Sequence, residues 1–346
     1  MMTNYAQIYC TVEDLIGDME APGGEVARLY QAIRDTSDYL QKEIGWFIPV
    51  LETLKMRGSG NTLLRVPPIT SVSSIVNDDD TLSASDYFLR GLETSRPFWA
   101  NGPYIQIEVD PDSSLISAWC DSEPDSVQII ANHGMYERSA ALTATVADTT
   151  QQSASQATLK VSDGSQVSPG MVLKLGDEQE LVTGYSDPSA AVTTLNGAVA
   201  AADEEITVTN SALVNVGEII RADFEQMKVR DRNTTTHKLA VWRGWNRTNR
   251  VAHLTAVAVD VYRTVNVERG VNGTTAATHA NGLAISRYFA PDDIQFLTRE
   301  VATLMLNKAK GGYAGRSGNE QTGVTFYNDA FPKFDIERIK EKYYLP

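Results

Sequence analysis

The stretch Arg269-Gly-Val-Asn-Gly-Thr-Thr-Ala-Ala-Thr-His279 has an earlier counterpart in Arg243-Gly-Trp-Asn-Arg-Thr-Asn-Arg-Val-Ala-His253. Five residue types recur at the same spacing. They are Arg243, Gly244, Asn246, Thr248 and His253 in the earlier copy, and Arg269, Gly270, Asn272, Thr274 and His279 in the later one. Glycine permits tight backbone bends, and Asn and Thr side chains bond local backbone in turns. The motif therefore predicts the same turn in two related β segments.

A second repeat lies upstream of this motif. Residues 158–182 align without gaps to residues 205–229, an offset of 47, whereas the Arg-to-His motif repeats at an offset of 26. Glu178 and Glu225 are one of its identical pairs. Each copy has the pattern of a strand, a turn carrying glycine and two more strands. We predict two inserted tandem all-β modules, at 141–204 and 205–288, which pack against each other because each is small.

Helical patterns occur only toward the two ends of the chain. Thr11, followed by acidic residues, predicts the N-cap of a short helix, and apolar residues recur at helical spacing from Val26 to Ile44. Near the other end, Pro291 and the acidic residues after it suit a helix start, and Asp335 is positioned to cap a short terminal helix.

The segment between the first helices and the modules is rich in short β patterns. Gly58-Ser-Gly60 predicts a hairpin between runs at 47–56 and 62–66. Asp78-Asp-Asp80 is interpreted as an exposed acidic hairpin turn in preference to a cation site, because its spacing differs from that of an EF-hand loop. The predicted class is α+β. It comprises a discontinuous helical core at 1–46 and 289–346, a β-rich excursion at 47–140, and the two modules.

The composition excludes several classes of protein. With 44 acidic and 30 basic residues, a formal charge of −14, the chain has no basic footprint for tight binding to duplex DNA. Two interpretations of this acidic excess stay open. It keeps the protein soluble, or acidic residues line a passage through which DNA slides without binding. No apolar run has the length of a membrane helix, and the first residues do not resemble a signal peptide, so maturation in the cytosol is expected. There, Cys10 and Cys120 are predicted to be free thiols.

Motifs for catalysis are missing from the sequence. It has no phosphate-binding Gly-rich loop with Lys, no His-Glu-x-x-His, no Gly-x-Ser-x-Gly and no Cys-x-x-Cys. We therefore expect no enzyme activity, no cofactor and no metal. Two alternatives stay open: a ligand or metal position shared by His253 and His279, and a glycan-cleaving enzyme built on paired carboxylates.

Several stretches, taken in order, resemble the head-to-tail connector (adaptor) family of long-tailed, siphovirus-like bacteriophages. They are a helix at 24–44 leading into Gly45-Trp-Phe-Ile-Pro49, then Leu64-Arg-Val-Pro-Pro-Ile-Thr-Ser-Val-Ser-Ser-Ile75, Ala84-Ser-Asp-Tyr-Phe-Leu89 and Ser126-Val-Gln-Ile-Ile-Ala-Asn-His-Gly134. In that family a proline and a helix follow the His-Gly strand after a short linker. Here they appear only at 287–291, which predicts an insertion of about 150 residues.

The resemblance implies a structural virion protein that forms a ring, usually of twelve copies, beneath the portal. Such a ring joins the head to a tail-side neck, stopper or terminator protein. Its helices surround a channel for genome packaging and DNA ejection, with DNA contacts that are non-specific. The expected location is the virion neck, after assembly in the host cytoplasm, with no membrane partner.

In that family the C-terminal segment commonly grips the portal. The matching candidates for a portal interface here are Phe331, Phe334, Ile336, Ile339, Tyr343 and Tyr344. An equally weighted alternative has this helix folded back on its own subunit. A competing function, favoured by the β repeats, is a tail baseplate or fibre protein that binds host-surface glycans.

Overall fold

The computed structural model describes residues 5–19, 25–91, 103–188, 191–310, 316–319, 324–327 and 333–343. Over these residues the chain has an α+β fold dominated by antiparallel strands. The helices are α1 (Val12–Met19), α2 (Val26–Ile44), α3 (Asp292–Lys310) and α4 (Lys333–Tyr343). Helices therefore lie toward both ends of the chain, as the sequence patterns predict.

Thr11 caps helix α1, as predicted. Its hydroxyl accepts a hydrogen bond from the Asp14 N–H (3.1 Å), and the Asp14 carboxylate accepts one from the Thr11 N–H (3.0 Å). This reciprocal pair satisfies two backbone donors that the first turn of a helix leaves unpaired.

A six-stranded sheet follows α2. Its strands are β1 (Val50–Met56), β2 (Leu63–Asn77), β3 (Asp80–Leu82), β4 (Tyr87–Gly91), β5 (Tyr104–Val109) and β6 (Val127–His133), in the order β1-β6-β2-β5-β4 with β3 paired to β2. The acidic turn is an exposed hairpin loop, as predicted, because Asn77 pairs with Asp80 and Asp78 has a φ of 59°.

The predicted hairpin around Gly58-Ser-Gly60 is wrong, because β6 lies between β1 and β2. The glycines serve a close backbone approach instead. The Gly58 N–H donates to the Cys120 carbonyl, and a Cβ at Gly58 would lie 2.1 Å from that oxygen. Cys10 and Cys120 are both thiols and form no disulfide with each other.

The remaining part of the chain between α2 and α3 forms two further six-stranded sheets. The first contains β7 (Ser139–Thr145), β9 (Thr158–Lys160), β10 (Val172–Leu175), β11 (Glu178–Tyr185), β18 (Thr264–Glu268) and β20 (Ala284–Tyr288). The second contains β12 (Thr193–Thr194), β13 (Glu205–Thr207), β14 (Ile219–Ala222), β15 (Glu225–Asn233), β16 (Lys238–Trp245) and β17 (Ala258–Val261). Two-stranded pairs are formed by β8 (Gln151–Gln152) with β19 (His279–Ala280), and by β21 (Arg316–Asn319) with β22 (Val324–Tyr327).

Each module contains one copy of both repeats: the repeat at offset 47 forms its first part, and the Arg-to-His motif lies in its last part. The second module is inserted into the first. Strands β18 and β20, which the sequence boundary at 204/205 assigns to the second module, join the sheet of the first, and β19 pairs with β8 of the first module. The outer module comprises 139–188 and 263–290, and the inner module comprises 191–262. Strand equivalents pair identically: β10 with β11 and β20 in the outer module, β14 with β15 and β17 in the inner one.

Each module has a buried cluster of its own, and both also contribute to a third cluster, here called the main core. The main core joins buried faces of all four helices to module side chains that include Leu181, Ile219, Trp245 and Val271. Burial of apolar surface stabilises a fold roughly in proportion to the area removed from water. The modules are therefore part of the structure that holds the helices together.

Candidate functional site

The repeated motif of the inner module forms a fully buried ion pair. The side chains of Arg243 and Glu225, both 0% exposed, make two hydrogen bonds of 2.7 Å in a bidentate arrangement. The same guanidinium donates to the backbone carbonyls of Ala200, Asp203 and Val251. Arginine suits this role because its planar fork of donors matches a carboxylate and leaves further N–H groups for other acceptors.

The outer module repeats this arrangement with residues that are far apart in sequence. Arg269 makes bonds of 2.7 and 2.8 Å to Glu178, and donates to the carbonyls of Ser153, Gln156 and Ala277. Its Arg and Glu are 91 positions apart, against 18 in the inner module, because the inner module is inserted between them. The difference of 73 positions equals the sum of the two repeat offsets, 47 and 26. The offsets differ because one is the distance between the two glutamates, before the insertion, and the other is the distance between the two arginines, after it.

The histidine of each motif copy joins the ion pair of its own module. The His253 Nε2 lies 3.1 Å from Glu225, and its Nδ1 lies 2.8 Å from Asp223. The His279 Nε2 lies 2.8 Å from Glu178. The sequence therefore identified both histidines as equivalent, but not the carboxylates that they contact.

Both paired carboxylates have a lowered pKa. Burial opposes ionisation of Glu225 and of Glu178, but the hydrogen bonds from the arginine and from backbone N–H groups outweigh burial. The two glutamates are thus held as carboxylates within closed networks of donors.

The glycine and asparagine of the motif form a tight turn around each ion pair. Asn246 and Arg247 have φ values of 54° and 59°, and the Thr248 N–H donates to the Trp245 carbonyl (3.1 Å). Two successive residues of positive φ are the signature of a type I′ turn. Gly244 precedes it with a φ of 66°, and a Cβ there would lie 2.9 Å from the Thr248 carbonyl.

The asparagines of the two turns also connect the modules to the N-terminal part of the chain. Asn246 Oδ1 accepts from the Val26 N–H at the start of α2 (2.9 Å). Asn272 Oδ1 accepts from the Ala6 N–H (2.7 Å), and its amide donates to the Ala6 carbonyl (3.3 Å). The motif is therefore a structural joint as well as a turn.

The outer module carries a second buried carboxylate that the inner module lacks. Glu180, 0% exposed, lies 2.9 Å from Arg269 and 3.3 Å from the amide of Gln152. The equivalent inner residues are Met227 and Val199. Burial raises the pKa of Glu180 to about 7, although Arg269 acts in the opposite direction.

Glu178, Glu180 and His279 bring their ligand atoms within 4.8 Å of one another, and are the only such group in the described part of the chain. Metal binding requires free lone pairs on these atoms. Here the guanidinium of Arg269 already contacts both carboxylates, and backbone N–H groups occupy Glu178. The arrangement fits an ion-pair network better than a cation site.

The buried Glu180 gives a pH-dependent prediction. Its pKa rises from 4.5 to about 7 on folding, so its contribution to stability is complete below about pH 4.5 and is lost as the pH rises through 7. Glu180→Met introduces the residue type found at the equivalent inner position, Met227. It is expected to raise the melting temperature at pH 8 and to change it little at pH 5. The gain at pH 8 corresponds to on the order of 1–3 kcal/mol.

Calorimetric melting at both pH values measures this effect. The matched control is Met227→Glu, which places a carboxylate in the inner module and is expected to destabilise it at pH 8. An equal effect of Glu180→Met at the two pH values would contradict the assignment.

Helix α4 lies against the main core, the second of the two arrangements considered for it. Ile336, Ile339 and Tyr343 are 4–6% exposed. The Tyr343 ring packs edge-on against Phe47 with centroids 4.9 Å apart, and its hydroxyl donates to Asp293 (3.0 Å). A portal contact through these three side chains thus stays a prediction that requires α4 to leave this position.

The other candidates for the portal interface, Phe331, Tyr344 and the side chain of Phe334, lie outside the described residues. Beside α4 is a groove of about 430 Å³, here called the C-terminal groove. Its walls are mainly apolar, and include Ile44, Trp46, Pro67, Pro68, Met135 and Tyr343.

Comparisons with family models, curated proteins and solved structures give no match. Within the described residues, no helix has the length and apolar character needed to cross a membrane.

Proposed function

We propose that the chain is a subunit of a phage head-to-tail connector ring, with two β modules inserted into the connector plan. The observation that carries the proposal is the place where the modules leave and rejoin the rest of the chain. The Phe289 N–H donates to the Arg138 carbonyl (3.0 Å), and Ser139 pairs with Tyr288. The residues before and after the modules are thus neighbours, the geometry that an insertion requires.

The packing of the two chain ends supports the same proposal. Thr36 of α2 lies 3.6 Å from the sulfur of Met305 of α3, and Lys340 of α4 forms an ion pair with Glu43 of α2. Helices separated by the whole β region thus pack together. This is the arrangement that the family resemblance implies for the helices around the channel.

The distribution of charge also fits a subunit that passes DNA. Residues 1–138 and 291–346 contain 29 acidic and 17 basic residues, a net charge of −12. The outer module adds −2, and the inner module, with eight acidic and eight basic residues, adds none. The acidic excess is thus concentrated in the connector-like part, where like charge would deny DNA a binding minimum.

In this function the chain acts as a structural protein without enzyme activity. Its partners would be further copies of itself, twelve in the usual ring, the portal protein, and a tail-side neck, stopper or terminator protein. One feature favours the competing function of a glycan-binding tail protein. Trp242 of the inner module is exposed, and aromatic side chains suit sugar binding.

Binding to portal-bearing heads tests the proposal against that alternative. We expect purified chain to co-sediment with tailless heads that carry portal, and not with heads assembled without portal. Binding to host-surface glycans with no affinity for portal-bearing heads would contradict the connector function and favour the glycan-binding one.

A further inference from the structure

The two modules share their fold and ion pair but differ in the surface that they expose. Of the eleven large hydrophobic residues that are exposed among the described residues, six lie in the inner module and none in the outer one. The six are Leu213, Val216, Phe224, Trp242, Val251 and Leu254. Because both modules fold with the same strand pairing, the fold alone does not require this apolar surface.

The most exposed of these residues lie together at one end of the inner module. Phe224 is 93% exposed and Leu254 is 77% exposed. Phe224 lies between Asp223, which contacts His253, and Glu225, which accepts from the Val251 N–H (3.0 Å). Phe224, Val251 and Leu254 therefore form one apolar tip, called here the Phe224 tip.

The outer module provides an internal control for this tip. By the two repeat offsets, the positions of Phe224, Val251 and Leu254 correspond to Asp177, Ala277 and Ala280. These three positions are also exposed, and the ion pair of the outer module forms beside them in the same way. Large apolar side chains at the tip are therefore not required for the fold, which makes the tip a candidate contact surface.

The character of the tip favours another copy of this chain as its partner. The inner module is neutral, so it can approach the connector-like part of a second copy, of net charge −12, without net repulsion. That part of the chain offers the mainly apolar C-terminal groove, which is large enough for an aromatic ring and is bordered by Lys340. That lysine pairs with Glu43 of its own copy but is 39% exposed, and Asp223, which contacts His253, is 48% exposed. Asp223, adjacent to Phe224, therefore has the charge and the exposure to contact Lys340 of a second copy.

We propose that the Phe224 tip of one copy docks into the C-terminal groove of a neighbouring copy. The two surfaces are different, so the contact is head-to-tail, the type that closes into a ring or continues as a filament. This inference deepens the proposed function, because it assigns the contact by which the ring subunits associate. A buried aromatic in an apolar pocket is the usual source of binding energy at such an interface.

Sedimentation velocity over a concentration series tests the contact with three variants. Phe224→Asp gives the tip the residue of the outer module. Pro67→Glu places a charge at an exposed wall of the groove. Phe296→Asp is the matched control, since Phe296 is 60% exposed on α3 and belongs to neither the tip nor the groove.

We expect the wild type and Phe296→Asp to self-associate, and the tip and groove variants each to associate at least about tenfold more weakly. An equimolar mixture of the two weak variants should form a heterodimer that does not grow, because it retains one intact tip and one intact groove. Thermal melts establish that each variant is folded.

Three outcomes would overturn the proposed contact. The wild type could be monomeric, or Phe224→Asp could associate as strongly as the wild type. Loss of association in Phe224→Asp but not in Pro67→Glu would indicate a tip-to-tip contact instead. The connector function is tested separately by portal binding. A Phe224→Asp variant that still forms rings on portal-bearing heads would reject the contact and leave the connector function standing.

Discussion

Replacing Arg243 by methionine is expected to lower the free energy of unfolding by about 3–5 kcal/mol, among the largest effects of any single substitution in this chain. The reason is that Glu225, fully buried, would lose its charged partner and remain with no water to solvate it. The backbone carbonyls of Ala200, Asp203 and Val251 would lose a donor in the same step. Denaturant unfolding followed by tryptophan fluorescence suits the measurement, since Trp242 and Trp245 lie in the inner module.

Two matched variants separate this effect from loss of a positive charge in general. Arg230 pairs with Glu204 at the surface, where both side chains are exposed, so Arg230→Met should cost less than about 1 kcal/mol. The double variant Arg243→Met/Glu225→Met removes both buried charges and should recover part of the loss. An Arg243→Met protein within 1 kcal/mol of wild type would mean that the ion pair does not hold the module together.

Excision of both modules is expected to abolish cooperative folding. Direct joining of Arg138 to Phe289 is geometrically possible, but it removes all module side chains except Ala290 from the main core, Leu181, Trp245 and Val271 among them. It also removes the asparagine anchors of the N-terminal segment and of α2. Such cavities and orphaned backbone groups exceed the few kcal/mol of margin that a domain of this size has.

Near-ultraviolet circular dichroism and thermal melting of the shortened chain measure this loss. The control is a smaller excision that removes residues 189–262 and joins Pro188 to Arg263, because the outer module keeps all six strands of its sheet. We expect this control to fold with reduced stability. A chain without both modules that melts cooperatively at the wild-type temperature would show that the modules are only attached to the helices.

Local sequence signals predicted the parts of the fold that depend on neighbouring residues. Thr11 predicted a cap, and the acidic turn at Asp78 predicted a hairpin loop, because both structures are formed within a few residues. The hairpin at Gly58 was wrong for the opposite reason. Its glycine serves a contact with Cys120, more than sixty positions away, which no local pattern indicates.

The nested arrangement of the modules was also beyond a linear comparison. Two offsets, 47 and 26, were visible, but alignment along the chain does not show that one module interrupts the other. A usable signal was present: the identical pair Glu178 and Glu225 and the identical pair Arg243 and Arg269 have opposite charges. Pairing each glutamate with one arginine would have predicted both buried ion pairs and the correct grouping of strands.

Electron cryomicroscopy of intact necks tests the connector function most directly. The account predicts a ring at the head-to-tail junction, directly below the portal, into which one copy of this chain fits per subunit. Its helices should lie in the part that surrounds the DNA channel, with the β modules attached where residues 138 and 289 meet. Density for this chain found only in the distal tail, baseplate or fibres would contradict the connector account.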